Sequence, residues 1–409
     1  MSAVLAVVVE CLLTNFIPGP TAKIKPLFDA LHCRITKKMK ITRITVWQVP
    51  LPLKQPYQLS GGRLKVEHLD STFVRVDTGE GLCGWGEGCP WGHAYLPAHG
   101  PGVRAGISTL APALVGCDPC AVDEVNRVMD RALPGHQYVK SALDIACWDI
   151  LGQAAGMPLW RLLGGARAEA VMLNSSIPTA APEVMVESIK TARAAGYRVH
   201  SAKIGGTDPA VDIVRINAIT DALSAGESVT FDANRAWTPG VAVQVLGSVA
   251  ARGWIEQPRE TITQCAQVAA RVRQPVMLDE CLHSFDDHLQ AWRLRACEGV
   301  KVKPNRLGGL TRARQVRDFG ISIGWQMHVE DTGGSALADT AALHLAASTP
   351  AGQRLATWLS HPHLAVDPVP GQGARNAGGF ASPPTVPGLG VSPSPDALGA
   401  PAAVYGDAA

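Results

Sequence analysis

The stretch from Lys203 to Lys303 carries five short segments: SAKIGG (201–206), TFDANRAW (230–237), WIEQP (254–258), VMLDE (276–280) and VKVKPNRLGG (300–309). Each opens on apolar or β-branched residues, as a buried strand does, and each carries one ionisable residue at the end of that run. Those residues are Lys203, Asp232, Glu256, Asp279 and Lys303, separated by 29, 24, 23 and 24 positions. That spacing is one strand, one helix and two short loops. A chain that repeats this unit builds a parallel sheet, and a closed ring of such units is a (β/α)₈ barrel. The C-terminal ends of barrel strands converge on one mouth, so the spacing predicts three carboxylates side by side between two lysines. Three clustered carboxylates repel one another unless a hard cation joins them, and an all-oxygen donor set suits Mg²⁺. Two lysines facing each other across that cation fit acid/base work on both faces of one carbon. Taken singly, an Asp after a strand caps a helix and a Lys is solvated surface; the ordered set is what points to a site.

With 409 residues, 46% hydrophobic and 18% charged, the chain has material for more than one core. A net charge of +2 argues against nucleic acid or an anionic membrane as the main partner. No apolar run approaches the roughly 18 residues of a membrane span. The ten cysteines are scattered, which predicts reduced thiols and a cytoplasmic protein. Cys117 and Cys120 form a single C-x-x-C without a second pair at zinc spacing, so no metal or redox role is assigned to them.

Residues 1–38 do not resemble the rest. AVLAVVVECLL (3–13) has the look of a signal-peptide core, but no basic residue precedes it and Glu10 interrupts it. The expectation is an appendage outside the native fold, with folding starting at Met39, where MKITRITVWQVPLPL begins an alternating strand. Residues 39–165 read as an α+β domain: strands near 40–50, 66–77 and 82–87, then helices near 102–115, 121–133 and 139–155. LSGGR (59–63) is either a hairpin loop or a lid. WGEGCPWGHAYLPAHG (85–100) is either an aromatic plug or a pocket wall, with Trp91, His93 and Tyr95 the residues to face a ligand. The barrel is expected over 166–360, with its first strand near 169–177, a seventh strand in GISIGWQMHVED (320–331) and an eighth in ATWLS (356–360). Residues 361–409 are rich in Pro and Gly, a composition that by itself suggests a disordered tail. No G-K-[S/T] phosphate loop occurs, and no serine sits in a strand–turn–helix elbow.

The motif set KIGG, DAN, EQP, DE and KPNRLGG resembles the muconate-lactonizing-enzyme-like branch of the enolase superfamily, from Met39 to about Tyr405. The resemblance implies a capping domain over a barrel, with 361–409 ordered and returning to complete the capping domain. It implies Mg²⁺ on Asp232, Glu256 and Asp279, with Lys203 and Lys303 as base and acid in an order left open. It implies abstraction of a proton α to a carboxylate, and a homo-oligomer. One departure stands out: many members of that branch carry K-x-K on the second barrel strand, whereas this chain has Ser201 at the first position.

HSAKIGG, the loop around Tyr95 and DTGGS (331–335) are similar to the cis-3-hydroxy-L-proline dehydratases, which in the aromatic loop resemble the proline-betaine epimerases. The implied substrate is therefore a small amino-acid carboxylate that loses water, or one epimerised at C2. Contacts to it are implied for Tyr57, Trp91, His93, Tyr95, Asn234 and Asn305. Glu330 and Asp331 either pair its ammonium or cap the next helix. His328 as a base is the lesser reading, because the branch that uses such a His pairs it with a sixth-strand Asp, where this chain has Lys303. A non-catalytic protein on the same scaffold is disfavoured, because the carboxylate and lysine sets are complete.

Overall fold

The computed structural model describes residues 39–407 except 60–63, 166–169, 207 and 251. The chain divides into two units, Met1–Met39 and Lys40–Ala409. Apart from Met39, the first lies outside the described residues, as do the expectation for 1–38 and all of the LSGGR loop except Leu59.

Lys40–Ala409 begins with three antiparallel strands, β1 (Ile41–Leu59), β2 (Leu64–Thr78) and β3 (Cys83–Gly88). Helices α1 (Gly100–Leu114), α2 (Val122–Ala132) and α3 (Gln137–Ala155) follow. Side chains alternate across a strand, and β3 uses this unusually. Gly84, Gly86 and Gly88 fall on one face, where an added Cβ would lie 2.1, 1.8 and 2.6 Å from the carbonyl oxygens of Ala146, Ala142 and Tyr138. The missing side chains let α3 rest directly on the strand backbone. Trp85 and Glu87 take the intervening positions.

After β4 (Val171–Met172) come eight parallel strands, each paired with the next in sequence. They are β5 (Asn174–Ile177), β6 (Val199–Lys203), β7 (Ser228–Asp232), β8 (Trp254–Glu256), β9 (Val276–Leu278), β10 (Gly299–Val302), β11 (Gln326–Val329) and β12 (Arg354–Ala356). A parallel bridge between Leu173 and Thr357 joins the ends of the series, with Asn174 N donating to Thr357 O at 2.8 Å. The sheet thereby closes on itself.

Among the described residues, besides a single helical turn at Pro304–Leu307, seven longer helices connect these strands: α4 (Pro182–Ala194), α5 (Pro209–Ala222), α6 (Pro239–Gly247), α7 (Ile262–Ala269), α8 (Phe285–Arg293), α9 (Leu310–Ile323) and α10 (Ala336–Ala347). Their starts are written locally. Asp208, Thr238, Thr261, Ser284 and Ser335 each accept a hydrogen bond from a first-turn amide, and α4 to α6 have proline in their first turn. Ile216, Phe231, Val245 and Ile255 belong to the apolar layer between strands and helices. The eighth strand is followed by a 3-10 turn, His361–His363.

Two expectations are corrected. GISI (320–323) is the last turn of α9, closed by Gly324 in the left-handed region at φ 81°, so the seventh strand holds only Gln326–Val329. Ser322 donates to the Phe319 carbonyl at 2.7 Å within that turn. The eighth strand lies at 354–356 rather than 356–360. The C-terminal segment is ordered over its described length: β13 (Phe380–Ala381) pairs with β4, and β14 (Ala403–Gly406) adds to the free edge of β1. No helix among the described residues is long and apolar enough to cross a membrane. Cys117 and Cys120 are free thiols.

Candidate active site

Strand register places the charged residues. Lys203 of β6 is the register partner of Asp232 of β7, and Asp232 that of Glu256 of β8. Glu256 pairs with Met277 of β9, so Asp279 follows two residues further along the same rim. Asp232, Glu256 and Asp279 are 0, 2 and 1% exposed. Lys303 follows β10, four strands from β6 in a ring of eight, which puts it on the wall opposite Lys203. Lys203 Nζ hydrogen-bonds to Asp232 Oδ2, and Lys303 Nζ to Asp279 Oδ2 at 2.8 Å.

The backbone behind this rim is bent out of regular conformations. Asn234, Arg235 and Gln257 all have positive φ (40°, 66° and 35°), which non-glycine residues rarely adopt. The bends serve the carboxylates. Asn234 donates its backbone N to Asp232 Oδ1 at 2.8 Å and its side-chain amide to Asp232 and Glu280, each at 3.0 Å. Gln257 Oε1 accepts from Asp279 N at 2.7 Å.

Two cations that the sequence reading passed over belong here. Lys301 Nζ lies 3.4 Å from Glu256 and 3.1 Å from Glu330, and Arg306 lies 2.7 Å from Asp279. A signal for Lys301 was present: in VKVK it sits two residues before Lys303, hence on the same face of the strand.

Burial and the neighbouring Asp232 charge push the Glu256 carboxyl well above its ordinary range, against the pull of Lys301. Burial also pushes Asp279 up, but Arg306, Lys303 and Lys301 outweigh it and hold that carboxyl below its ordinary value. At Lys203 burial favours the neutral amine, yet Asp232, Tyr57 and Glu256 together hold the ammonium well above the usual lysine range.

Among the described residues no three acidic, thiol or imidazole groups already converge at metal-binding distances; lysine and arginine engage the three carboxylates instead. The donor set nonetheless fits a hard dication. It is all oxygen and buried, and Glu256 Oε2 accepts no hydrogen bond although Lys301 Nζ lies 3.4 Å from it.

Above the rim is a pocket walled by Tyr57, Trp91, Tyr95 and Trp358 and floored by Lys203, Glu256, Asp279, Lys301 and Lys303, with Ser176, Ser201 and Glu330 at its sides. The Tyr57 ring stands edge-on to Trp91 at 5.3 Å and lies 6.4 Å from Trp358. Its hydroxyl is hydrogen-bonded to Ser176.

The other expected contacts divide. His93 is exposed and does not line the pocket, because the loop turns its Trp91 and Tyr95 side chains inward and leaves His93 at the surface. Asn234 and Asn305 are buried one layer behind the wall: Asn234 orients Asp232, while Asn305 donates to Asp331 from its backbone N at 3.1 Å and its side chain at 2.8 Å. Glu330 and Asp331 both line the pocket. Neither caps the next helix, since Ser335 does so. Burial pushes Asp331 up to about 6, with the Asn305 hydrogen bond opposing. His328 is buried outside the lining, and burial with Lys301 and Lys303 pushes it well below its usual value.

Residues 41–164 match the family model "Mandelate racemase / muconate lactonizing enzyme, N-terminal domain", and 184–397 match "Enolase C-terminal domain-like". The chain is 41% identical to a cis-3-hydroxy-L-proline dehydratase of Roseibium aggregatum over 90% of its own length and all of the relative's. It is 30% identical to an N-succinyl-L-Arg/Lys racemase of Bacillus cereus, covering 76% of this chain and 85% of that one. Among solved structures, an enolase-superfamily member from Roseovarius nubinhibens complexed with magnesium is 67% identical, with a TM-score of 0.88, covering 90% of this chain and 100% of that one. The chain belongs to the enolase superfamily, in the branch of mandelate racemase and muconate lactonizing enzyme.

Proposed function

We propose that this chain is a Mg²⁺-dependent dehydratase that converts cis-3-hydroxy-L-proline to a pyrroline-2-carboxylate. The observation that carries the reading is the pair of lysines on opposite barrel walls with three buried carboxylates between them. The dehydratase relative, matched over its whole length, supports the choice of substrate. Asp232, Glu256 and Asp279 would hold the cation, which would supply the positive charge that the substrate carboxylate needs as the α-carbon loses its proton.

The lysines supply the proton transfers. In cis-3-hydroxy-L-proline the hydroxyl is cis to the carboxylate, so the α-proton lies on the opposite face of the ring. Loss of water then requires a base on one face and an acid on the other, which two opposed lysines provide. One takes the α-proton, and the other protonates the departing hydroxyl. The C–H electron pair becomes the C2–C3 double bond of an enamine, which tautomerises to the cyclic imine.

The substrate's ring nitrogen carries a charge of its own. Glu330 Oε2 accepts no hydrogen bond, and Tyr57, Trp91 and Trp358 bring aromatic rings to the same pocket, so the pocket suits an ammonium. The same rings favour a second reading, C2 epimerisation of a proline betaine or related amino acid by the same lysines without a leaving group. The racemase relative is in keeping with it.

The test is turnover of cis-3-hydroxy-L-proline in D₂O followed by NMR, with Mg²⁺ and after EDTA. Metal-dependent loss of the hydroxyl with an imine product supports dehydration. Exchange of the α-proton with the hydroxyl retained moves the assignment to epimerisation.

A further inference from the structure

The loop after β11 carries three pocket residues, Glu330, Asp331 and Thr332, and then runs through Gly333 and Gly334 to Ser335 at the start of α10. Little in the loop itself fixes its shape; its partners come from elsewhere in the chain. Asn305 holds Asp331, and Tyr138 Oη is hydrogen-bonded to Thr332 Oγ1 at 2.9 Å. Ser360 bonds Gly334 through both its N–H (3.0 Å) and its C=O (2.8 Å). The largest share falls to Glu87 of β3. This fully buried carboxylate accepts from Ser335 N (3.0 and 3.2 Å), Ser335 Oγ (2.6 Å), Ala338 N (3.2 Å) and Ser71 Oγ (2.7 Å).

Sequence alternation explains how Glu87 reaches there. The glycine face of β3 lies against α3, so the residue between Gly86 and Gly88 projects away from α3, to the N-terminus of α10, where amides converge and a negative charge is favoured. The glycines of the loop make room for this contact. A Cβ on Gly334 would lie 3.0 Å from Glu87 Oε1, and one on Gly333 would lie 2.6 Å from the Trp91 ring of the pocket wall. A second buried carboxylate repeats the device: Asp144 of α3 accepts from Thr311 N at 3.1 Å and Thr311 Oγ1 at 2.6 Å in the first turn of α9.

We propose that Glu87 is a positioning residue: from the N-terminal sheet it sets the 330–335 loop over the barrel mouth, and so sets how the substrate ring lies between the two lysines. It touches neither substrate nor metal ligand, so its effect is on orientation. The kinetic arm of the test rests on the dehydratase reading; the structural arm does not.

Wild type, Glu87→Gln and the milder Ser335→Ala are compared in three measurements: Mg²⁺ affinity by calorimetry, amide exchange of 333–338 by mass spectrometry, and turnover of cis-3-hydroxy-L-proline in D₂O. Glutamine keeps the size of the side chain but turns an N–H₂ toward donors. The expected result is unchanged Mg²⁺ affinity, faster amide exchange at 334–338, and kcat lowered about 10²-fold in Glu87→Gln. The ratio of α-deuterium incorporation to water loss should rise, because a misoriented ring still loses its α-proton but presents its hydroxyl poorly. Ser335→Ala should shift that ratio in the same direction by less. A role confined to stability would lower the active fraction and leave the ratio unmoved, which would overturn the proposal. So would unchanged exchange at 334–338. If wild type leaves this substrate untouched, the dehydratase reading fails, and the amide-exchange result alone decides whether Glu87 anchors the loop.

Discussion

Between β6 and β9 the barrel mouth is set by strand register, whereas between β10 and β12 much of it is set by contacts from outside the barrel. On the first side Lys203, Asp232 and Glu256 are successive register partners, and Asp279 is two residues past a partner of Glu256. On the second side Lys301 and Lys303 are placed by their strand, but the Glu330–Ser335 loop takes its shape from Glu87, Tyr138, Asn305 and Ser360. Hydrogen bonds tying that loop to the N-terminal sheet and helices span 194 to 248 residues of sequence. On the proposed reading, the groups set by the barrel strands themselves, Lys203, the three carboxylates and Lys303, would carry the shared chemistry, while the 330–335 loop and the aromatic wall would choose the substrate.

That division can be broken in stages. The largest effect should come from Asp279→Asn, which removes a carboxylate on the register-built rim: both Mg²⁺ binding by calorimetry and turnover should be lost, and retention of full metal affinity would contradict the ligand assignment. Next, Lys203→Ala and Lys303→Ala should each lower turnover by about 10²–10⁴-fold while metal binding persists. Wild-type turnover in Lys203→Ala would remove it from the mechanism.

On the loop-built rim the effects should be smaller. Gly333→Ala forces a methyl against the Trp91 ring, and overpacking of this kind costs about 1–3 kcal/mol; a lower Tm and a raised KM are expected, with Mg²⁺ affinity intact. The smallest effect belongs to His93→Ala. Exposed and outside the pocket, it should alter stability by no more than about 0.5 kcal/mol and leave kinetics at wild-type values. A raised KM there would return His93 to the site.

The legibility of the chain follows the same line. Strand-plus-helix spacing exposed the five ionisable positions because a parallel barrel repeats locally, and each repeat ends where the mouth begins. Lys301 was legible by its alternation with Lys303. The GISI segment misled because an alternating apolar run fits a strand as well as the end of a helix, and Gly324 decides between them only through its left-handed conformation. The roles of Glu87, Asn305 and Ser335 were not legible, since each depends on partners distant in sequence that no local period announces. In the aromatic loop, composition alone did not separate Trp91 and Tyr95, which turn inward, from His93, which stays outside.

The most direct test of opposed lysines acting on one ring is a comparison of cis- and trans-3-hydroxy-L-proline under identical conditions with Mg²⁺, following hydroxyl loss by NMR. In the trans isomer the α-proton and hydroxyl share a face, so acid and base on opposite walls cannot both reach their targets. The cis isomer should be dehydrated and the trans isomer should not. Dehydration of the trans isomer at a comparable rate would contradict the placement of acid and base on opposite faces.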